Sequence, residues 1–172
     1  CASEAVRPDG LLSHKYRTWA LEHPEGSEYP LTSLSMEELA GANRAAIVVI
    51  ARAPERTDCT LTDSETQMLR SVTAAFGRTV LVLATPGFLE LNDAAMACSA
   101  IVWMGIAGQE GGAALADLLT AAVMPMGKLS FSWPVSLAAF DEANAQRDQF
   151  VGYRYFDSFL TELRWPFGYG LG

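Results

Sequence analysis

The chain is poor in lysine, histidine and cysteine, and has no long hydrophobic run. Of its 12 basic side chains only Lys15 and Lys128 are lysine, and the arginines are scattered. Against them stand 20 acidic residues, for a formal net charge of −8. A nucleic-acid surface needs Lys and Arg gathered on one face or stripe. No such cluster occurs, so nucleic acid is not expected as a partner. The only histidines, His14 and His23, lie in a polar N-terminal stretch and read as solvated surface residues. No Cys, Asp or Glu joins them at ligand spacing, so no metal site is expected. A serine hydrolase needs a nucleophile with a base beside it. No G-x-S-x-G turn is present, which removes support for that chemistry.

Cys1, Cys59 and Cys98 are odd in number, irregular in spacing and without a C-x-x-C pair. They form neither a disulfide framework nor a dithiol redox site. Cys98 sits in an apolar stretch and reads as a buried, inert thiol. The longest unbroken apolar run, Ala45–Ala51, is seven residues. A membrane-spanning helix needs about 20, so no span is expected. The first residue is Cys rather than Met, which points to a cut or processed chain. A piece of a longer protein is favoured over a mature lipoprotein, and localisation stays open.

What is present is a core. Half of the 172 residues are hydrophobic, too many for a disordered chain and enough for one domain. Residues 1–44 are polar and broken by Pro8, Gly10, Pro24, Gly26 and Pro30, and read as a lead-in. Leu11–Leu21 suits a short helix. Ser35-Met36-Glu37-Glu38 matches the S-x-x-E helix start and predicts a helix over 36–42.

From residue 45 strands and helices alternate. Ala45–Ala51 is a β-branched run of the kind that suits a strand buried on both faces. Thr62-Asp63-Ser64-Glu65 is a second capping box. Met68, Leu69, Val72, Ala75 and Phe76 follow at helical spacing, with Gly77 as the stop. Thr79–Ala84 predicts a second buried strand, 89–97 a short helix, and Ala100–Met104 a third strand. Gly105–Gly112 is a glycine loop leading into a helix over Ala113–Val123, with Pro125 and Gly127 as its end. Lys128–Trp133 alternates with period two and predicts an edge strand. This order implies α/β: a flavodoxin-like sandwich, a mostly parallel sheet with helices on both faces. Ligands in such folds sit beyond the carboxyl ends of the strands. Here those ends are the loops 52–61, 84–88 and 104–112.

Three sets of residues merit chemistry, two of them in those loops. The glycine loop opens a helix whose free amides suit an anion. It lacks both G-x-G-x-x-G and G-x-x-x-x-G-K-(S/T), and Glu110 puts negative charge where a phosphate would sit. A tight turn with close backbone packing is the simpler reading, and Glu110 is expected to cap or order it. Glu55 and Asp58 follow the first strand in Arg52-Ala53-Pro54-Glu55-Arg56-Thr57-Asp58. A carboxylic acid there can donate a proton if burial raises its pKa. A solvated loop with a Glu–Arg pair is the plainer reading. Tyr153-Arg154-Tyr155 suits either a surface near substrate or a packed aromatic strand.

Several segments in order resemble one family. Ala46–Ile50 matches its first strand, Leu61–Glu65 its leucine and capping box, and Thr79–Leu83 its next strand. Ala107-Gly108-Gln109-Glu110-Gly111-Gly112 is similar to a P-G-Q-E-G-G loop. Met124–Pro134 is similar to N-P-S-G-(R/K)-L-P-x-(S/T)-(W/F)-P. Val151–Asp157 matches V-G-Y-R-Y-(F/Y)-D, and Pro166–Leu171 reads P-F-G-Y-G-L. Over residues 45–172 the chain resembles the C-terminal α/β-sandwich domain of glycoside hydrolase family 3, the β-glucosidase family. The resemblance implies a carbohydrate substrate, no cofactor, and an N-terminal (β/α)8 barrel as partner that supplies an Asp nucleophile. A barrel needs about 200 residues or more, so the nucleophile would lie outside this chain.

The resemblance also implies retention of configuration through two carboxylates about 5–5.5 Å apart. Glu55 then stands for the acid/base Glu of the family's G-E-G loop, and Asp58 shapes the sugar site or the loop. Here Pro54-Glu55-Arg56 replaces G-E-G, and Asp58-Cys59 replaces D-R. The alternative this departure suggests is a divergent, non-catalytic carbohydrate-binding or packing module. A flavodoxin-like nucleotide binder is a more distant one.

Overall fold

A computed structural model describes residues 33–53, 59–145 and 149–171. The expected helix over Leu11–Leu21, both histidines, Cys1, Glu55 and Asp58 lie outside these residues. The frame is a parallel three-stranded sheet in the order β1 (Ala46–Ala51), β2 (Thr79–Ala84), β3 (Ala100–Trp103). Ala46 stands opposite Thr79, and Val80 opposite Ala100. The α/β, mostly parallel class read from the sequence therefore holds.

The strands differ in burial for a topological reason. Central β2 is buried on both faces, with Leu81, Val82 and Leu83 all sealed from solvent. Among the described residues β1 pairs with β2 alone. It buries Val48 and Ile50 but leaves Ile47 56% and Val49 49% exposed. The expectation of a β1 buried on both faces is thus corrected: apolar β-branched residues mark a strand, but edge position depends on strand order.

The helices pack by the faces their sequences mark out. Helix α1 spans Ser33–Ala42. The helix expected over 36–42 is thus three residues longer at its start. Helix α2 (Asp63–Ala75) starts as expected: Thr62 Oγ1 accepts from the Glu65 amide at 3.2 Å, and Glu65 Oε2 accepts from the Thr62 amide at 2.8 Å. It buries Leu69 and Val72 against the sheet. It stops because Phe76 turns extended, at φ −110° and ψ 130°, one residue ahead of the expected Gly77.

The helix expected over 89–97 shrinks to one turn, α3 (Asp93–Met96), capped by Asn92. Residues before it run alongside Cys59 and Thr60: the Glu90 amide donates to the Cys59 carbonyl at 2.7 Å, and Thr60 and Glu90 form a parallel bridge. Helix α4 (Gly111–Leu119) ends at Thr120 and a left-handed Ala121 (φ 59°), well before Pro125 and Gly127.

A second sheet of two antiparallel strands joins β4 (Trp133–Pro134) to β5 (Leu163–Trp165). The expected edge strand over 128–133 survives only at Trp133. Upstream, the Leu129 amide donates to the Tyr169 carbonyl and its own carbonyl accepts from Gly168, both at 2.8 Å. The period-two alternation was sound, since Leu129, Phe131 and Trp133 all pack on the core; its hydrogen-bonding partners are distant in sequence. Helices α5 (Leu137–Ala145) and α6 (Tyr153–Phe159) complete the described elements. The aromatic strand considered for Tyr153–Tyr155 is a helix instead, entered through Gly152 at φ 61°.

One core joins the two sheets. Val48, Ile50, Leu81 and Leu83 meet Leu69 and Val72 of α2, then Phe88, Leu89, Leu91, Ala94, Ala95 and Trp133. Trp133 is only 1% exposed, and its indole Nε1 donates to the Leu89 carbonyl at 3.1 Å. Phe88, Phe131, Trp165 and Trp103 surround it, with ring centroids between 5.4 and 6.2 Å away.

Candidate functional site

The carboxyl ends of β1, β2 and β3 open onto one side of the sheet, where α/β folds place their ligands. The β2 end is closed by its own contacts. Thr85 is buried, its hydroxyl donates to the Gly87 carbonyl at 2.9 Å, and its carbonyl accepts from Trp103 Nε1 at 3.1 Å. Phe88 stacks on Phe140 at 4.6 Å. No titratable side chain arises from 84–88, so this loop serves as a wall.

The β3 end is a packing turn. Gly105 takes φ 62°. A Cβ on Gly111 would run into the Ala107 Cβ and reach Met104 Cε at 3.5 Å, so the glycine permits the close approach that the sequence suggested. Glu110 occupies the cap position of α4 but makes no side-chain cap hydrogen bond. Its backbone carbonyl alone takes part, accepting from the Ala114 amide at 3.0 Å. Glu110 thus stands at the cap position expected of it, through its backbone and not its side chain.

The β1 end holds the strongest electrostatic feature among the described residues. Arg52 directly follows the strand, and its amide donates to the Ala84 carbonyl at 3.0 Å. Its guanidinium forms a fork on the Glu65 carboxylate, Nη1 to Oε1 at 2.6 Å and Nη2 to Oε2 at 2.8 Å. Nη1 also donates to the Ala51 carbonyl at 3.0 Å, and Nη2 to the Thr60 carbonyl at 3.1 Å. Glu65 Oε2 accepts in addition from the Thr62 amide and hydroxyl, at 2.8 and 3.0 Å. Both charged side chains are buried. Sequence reasoning saw Glu65 only as a cap and missed Arg52. The signal was an arginine placed where a buried strand ends, which needs an acidic partner.

Burial pushes the Glu65 carboxyl up. The Arg52 hydrogen bond, the Thr62 amide and the Arg52 charge outweigh it, so the net shift is downward. A carboxylate whose folded pKa is depressed stabilises fully above its unfolded value, ordinarily 4.5, and loses that contribution as pH falls through the folded pKa. Glu65→Gln is expected to flatten the acid limb of a stability-versus-pH curve below about pH 4.5, measured by urea denaturation. An unchanged limb contradicts the assignment.

Among the described residues, the remaining candidates make no hydrogen bond to the ion pair. Cys98 is half-buried rather than sealed as expected, and burial raises its thiol pKa; Cys59 is half-buried as well. Tyr153 is partly exposed, lies 4.9 Å from the Phe167 ring and carries the Arg154 guanidinium over its face. Tyr155 is buried beside Phe156 and Phe159. Among the described residues no group of three or more His, Cys, Asp or Glu gathers to hold a metal. No helix among them is long and apolar enough to cross a membrane.

Residues 26–172 match the glycosyl hydrolase family 3 C-terminal domain. The chain belongs to that family. The resemblance drawn from the motifs is thereby borne out. The family 3 domain is 32% identical to a beta-glucosidase of Ruminococcus albus, over 91% of this chain and 20% of that one. It is 34% identical to a beta-glucosidase of Kluyveromyces marxianus, over 78% of this chain and 18% of the relative. Among solved structures, beta-glucosidase 3B from Thermotoga neapolitana in complex with glycerol superposes with a TM-score of 0.81 at 27% identity, covering 95% of this chain and 28% of that one. The chain thus spans about a fifth of the length of the curated relatives it matches.

Proposed function

We propose that this family 3 domain is the C-terminal part of a retaining β-glycosidase, β-glucosidase-like, that hydrolyses O-glycosidic bonds. Its partner is an N-terminal (β/α)8 barrel of the same protein, and its substrate is a carbohydrate. The observation that carries the reading is the family match over residues 26–172, joined to relatives named beta-glucosidases. A net charge of −8 suits a neutral sugar. Residues 45–172 form the sandwich unit, with 1–44 as its lead-in.

In this reading the barrel's Asp attacks the anomeric carbon while Glu55, protonated, gives its proton to the departing oxygen. The C–O bond to the leaving group breaks and a glycosyl–Asp ester forms. Glu55, now a carboxylate, takes a proton from water, which attacks the same carbon and frees the Asp. Asp58 shapes the sugar site on the same loop. Support comes from where the connection leaves the sheet: Arg52, directly after β1, donates its amide to the Ala84 carbonyl at the start of the 84–88 wall. The Pro54-Glu55-Arg56 departure from G-E-G favours a second reading, a non-catalytic carbohydrate-binding or packing module.

With one of two carboxylates elsewhere, the chain alone is expected to show no turnover of an aryl β-glucoside, while the full-length protein turns over. Comparable turnover by the chain alone overturns the reading.

A further inference from the structure

We propose that the Arg52–Glu65 pair is a positioning device for the β1–α2 connection, setting where the proton donor stands relative to the sugar. This rests on the reading of Glu55 as acid/base. One guanidinium ties together both ends of the connection: it donates to Ala51 O before it, to Thr60 O late in it and to Glu65 in α2. Glu65 in turn holds Thr62 by its amide and hydroxyl. Two further ties fix the frame to the sheet side, Arg52 N to Ala84 O and Glu90 N to Cys59 O. The width of the connection's mouth is therefore set by side-chain charge as well as by backbone.

A stability role alone explains this poorly. Both side chains are desolvated, with 8% and 10% exposure. Replacing a buried ion pair by packed apolar residues is often neutral or stabilising. What the fork adds is direction: two parallel N–H···O bonds lock a planar guanidinium onto a planar carboxylate. Directional locking matters at an acid/base, because misplacement by about 1 Å costs as much as about 100-fold in rate.

The test uses the full-length enzyme and compares kcat/KM on two substrates. A disaccharide needs its leaving oxygen protonated; a dinitrophenyl β-glucoside does not. Arg52→Lys keeps the charge and loses the fork, Glu65→Gln keeps the shape and loses the charge, and Arg52→Met/Glu65→Leu removes both charges without stranding either. All three are expected to lose about 10- to 100-fold on the disaccharide and to stay near the parent on the activated substrate. Adding Arg52→Lys to Glu55→Gln is expected to cost nothing further, as for residues acting as a unit. If Glu55→Gln is leaving-group selective but the pair variants slow both substrates equally, or neither, the positioning role is overturned and the acid/base reading stands. If Glu55→Gln itself shows no selectivity, the acid/base reading fails and takes the positioning role with it. The apolar double variant keeps the outcome readable if a single variant unfolds.

Discussion

Glu55→Gln in the full-length enzyme is expected to lower kcat/KM on a disaccharide by about 10²–10⁴-fold, with little change on a dinitrophenyl β-glucoside. The asymmetry follows from what the proton does. An alkoxide leaving group is a poor one, and protonation in the transition state removes its developing charge. A dinitrophenolate carries that charge unaided. A general structural defect would slow both substrates together, so selectivity separates lost proton transfer from lost folding. An unchanged rate on the disaccharide excludes Glu55 as the donor.

Trp133→Ala is expected to cost about 3–5 kcal/mol of stability. The side chain is 1% exposed and sits where the two sheets meet, in β4 against β5 and against Phe88, Phe131, Trp103 and Trp165. Truncation leaves a void that these large rings can fill only in part, and it strands the Leu89 carbonyl that the indole satisfies. Domains of this size have about 5–15 kcal/mol in total, so the variant approaches the unfolding threshold. Trp133→Phe retains most of the packing and loses the hydrogen bond, for about 1–3 kcal/mol. Urea denaturation of the two variants measures both values. Equal, small losses would contradict the placement of Trp133 at the centre of the core.

Local signals carried far in this chain, and long-range pairings did not. The β-branched runs at 46–51 and 79–84 and the Thr62–Glu65 box became the strands and the cap their patterns describe. Each depends on neighbours within one turn or one strand. The exposure of Ile47 and Val49 depends on strand order, which no window of residues reports. The pairing of Trp133 with Trp165 and of Leu129 with Gly168 and Tyr169 bridges more than 30 residues, so period-two alternation found the inward faces without finding the partners. The aromatic strand read for Tyr153–Tyr155 is a helix: aromatic residues serve helix and strand alike, and Gly152 enters it at positive φ. At the site, Glu55 was reached by family resemblance, Glu65 only as a cap, and Arg52 not at all. A buried charge chooses its partner through folding, and thirteen residues separate this pair.

Azide rescue of Glu55→Gly in the full-length enzyme tests most directly whether this domain brings the proton donor to a sugar site completed elsewhere. A dinitrophenyl β-glucoside still forms the glycosyl–Asp ester, but water then lacks a base. Azide needs none. It attacks the anomeric carbon, a C–N bond forms, and the Asp carboxylate leaves. The expected result is faster turnover with added azide and accumulation of β-glucosyl azide, the configuration retained. Turnover that azide does not raise, with glucose as the sole sugar product, would contradict it.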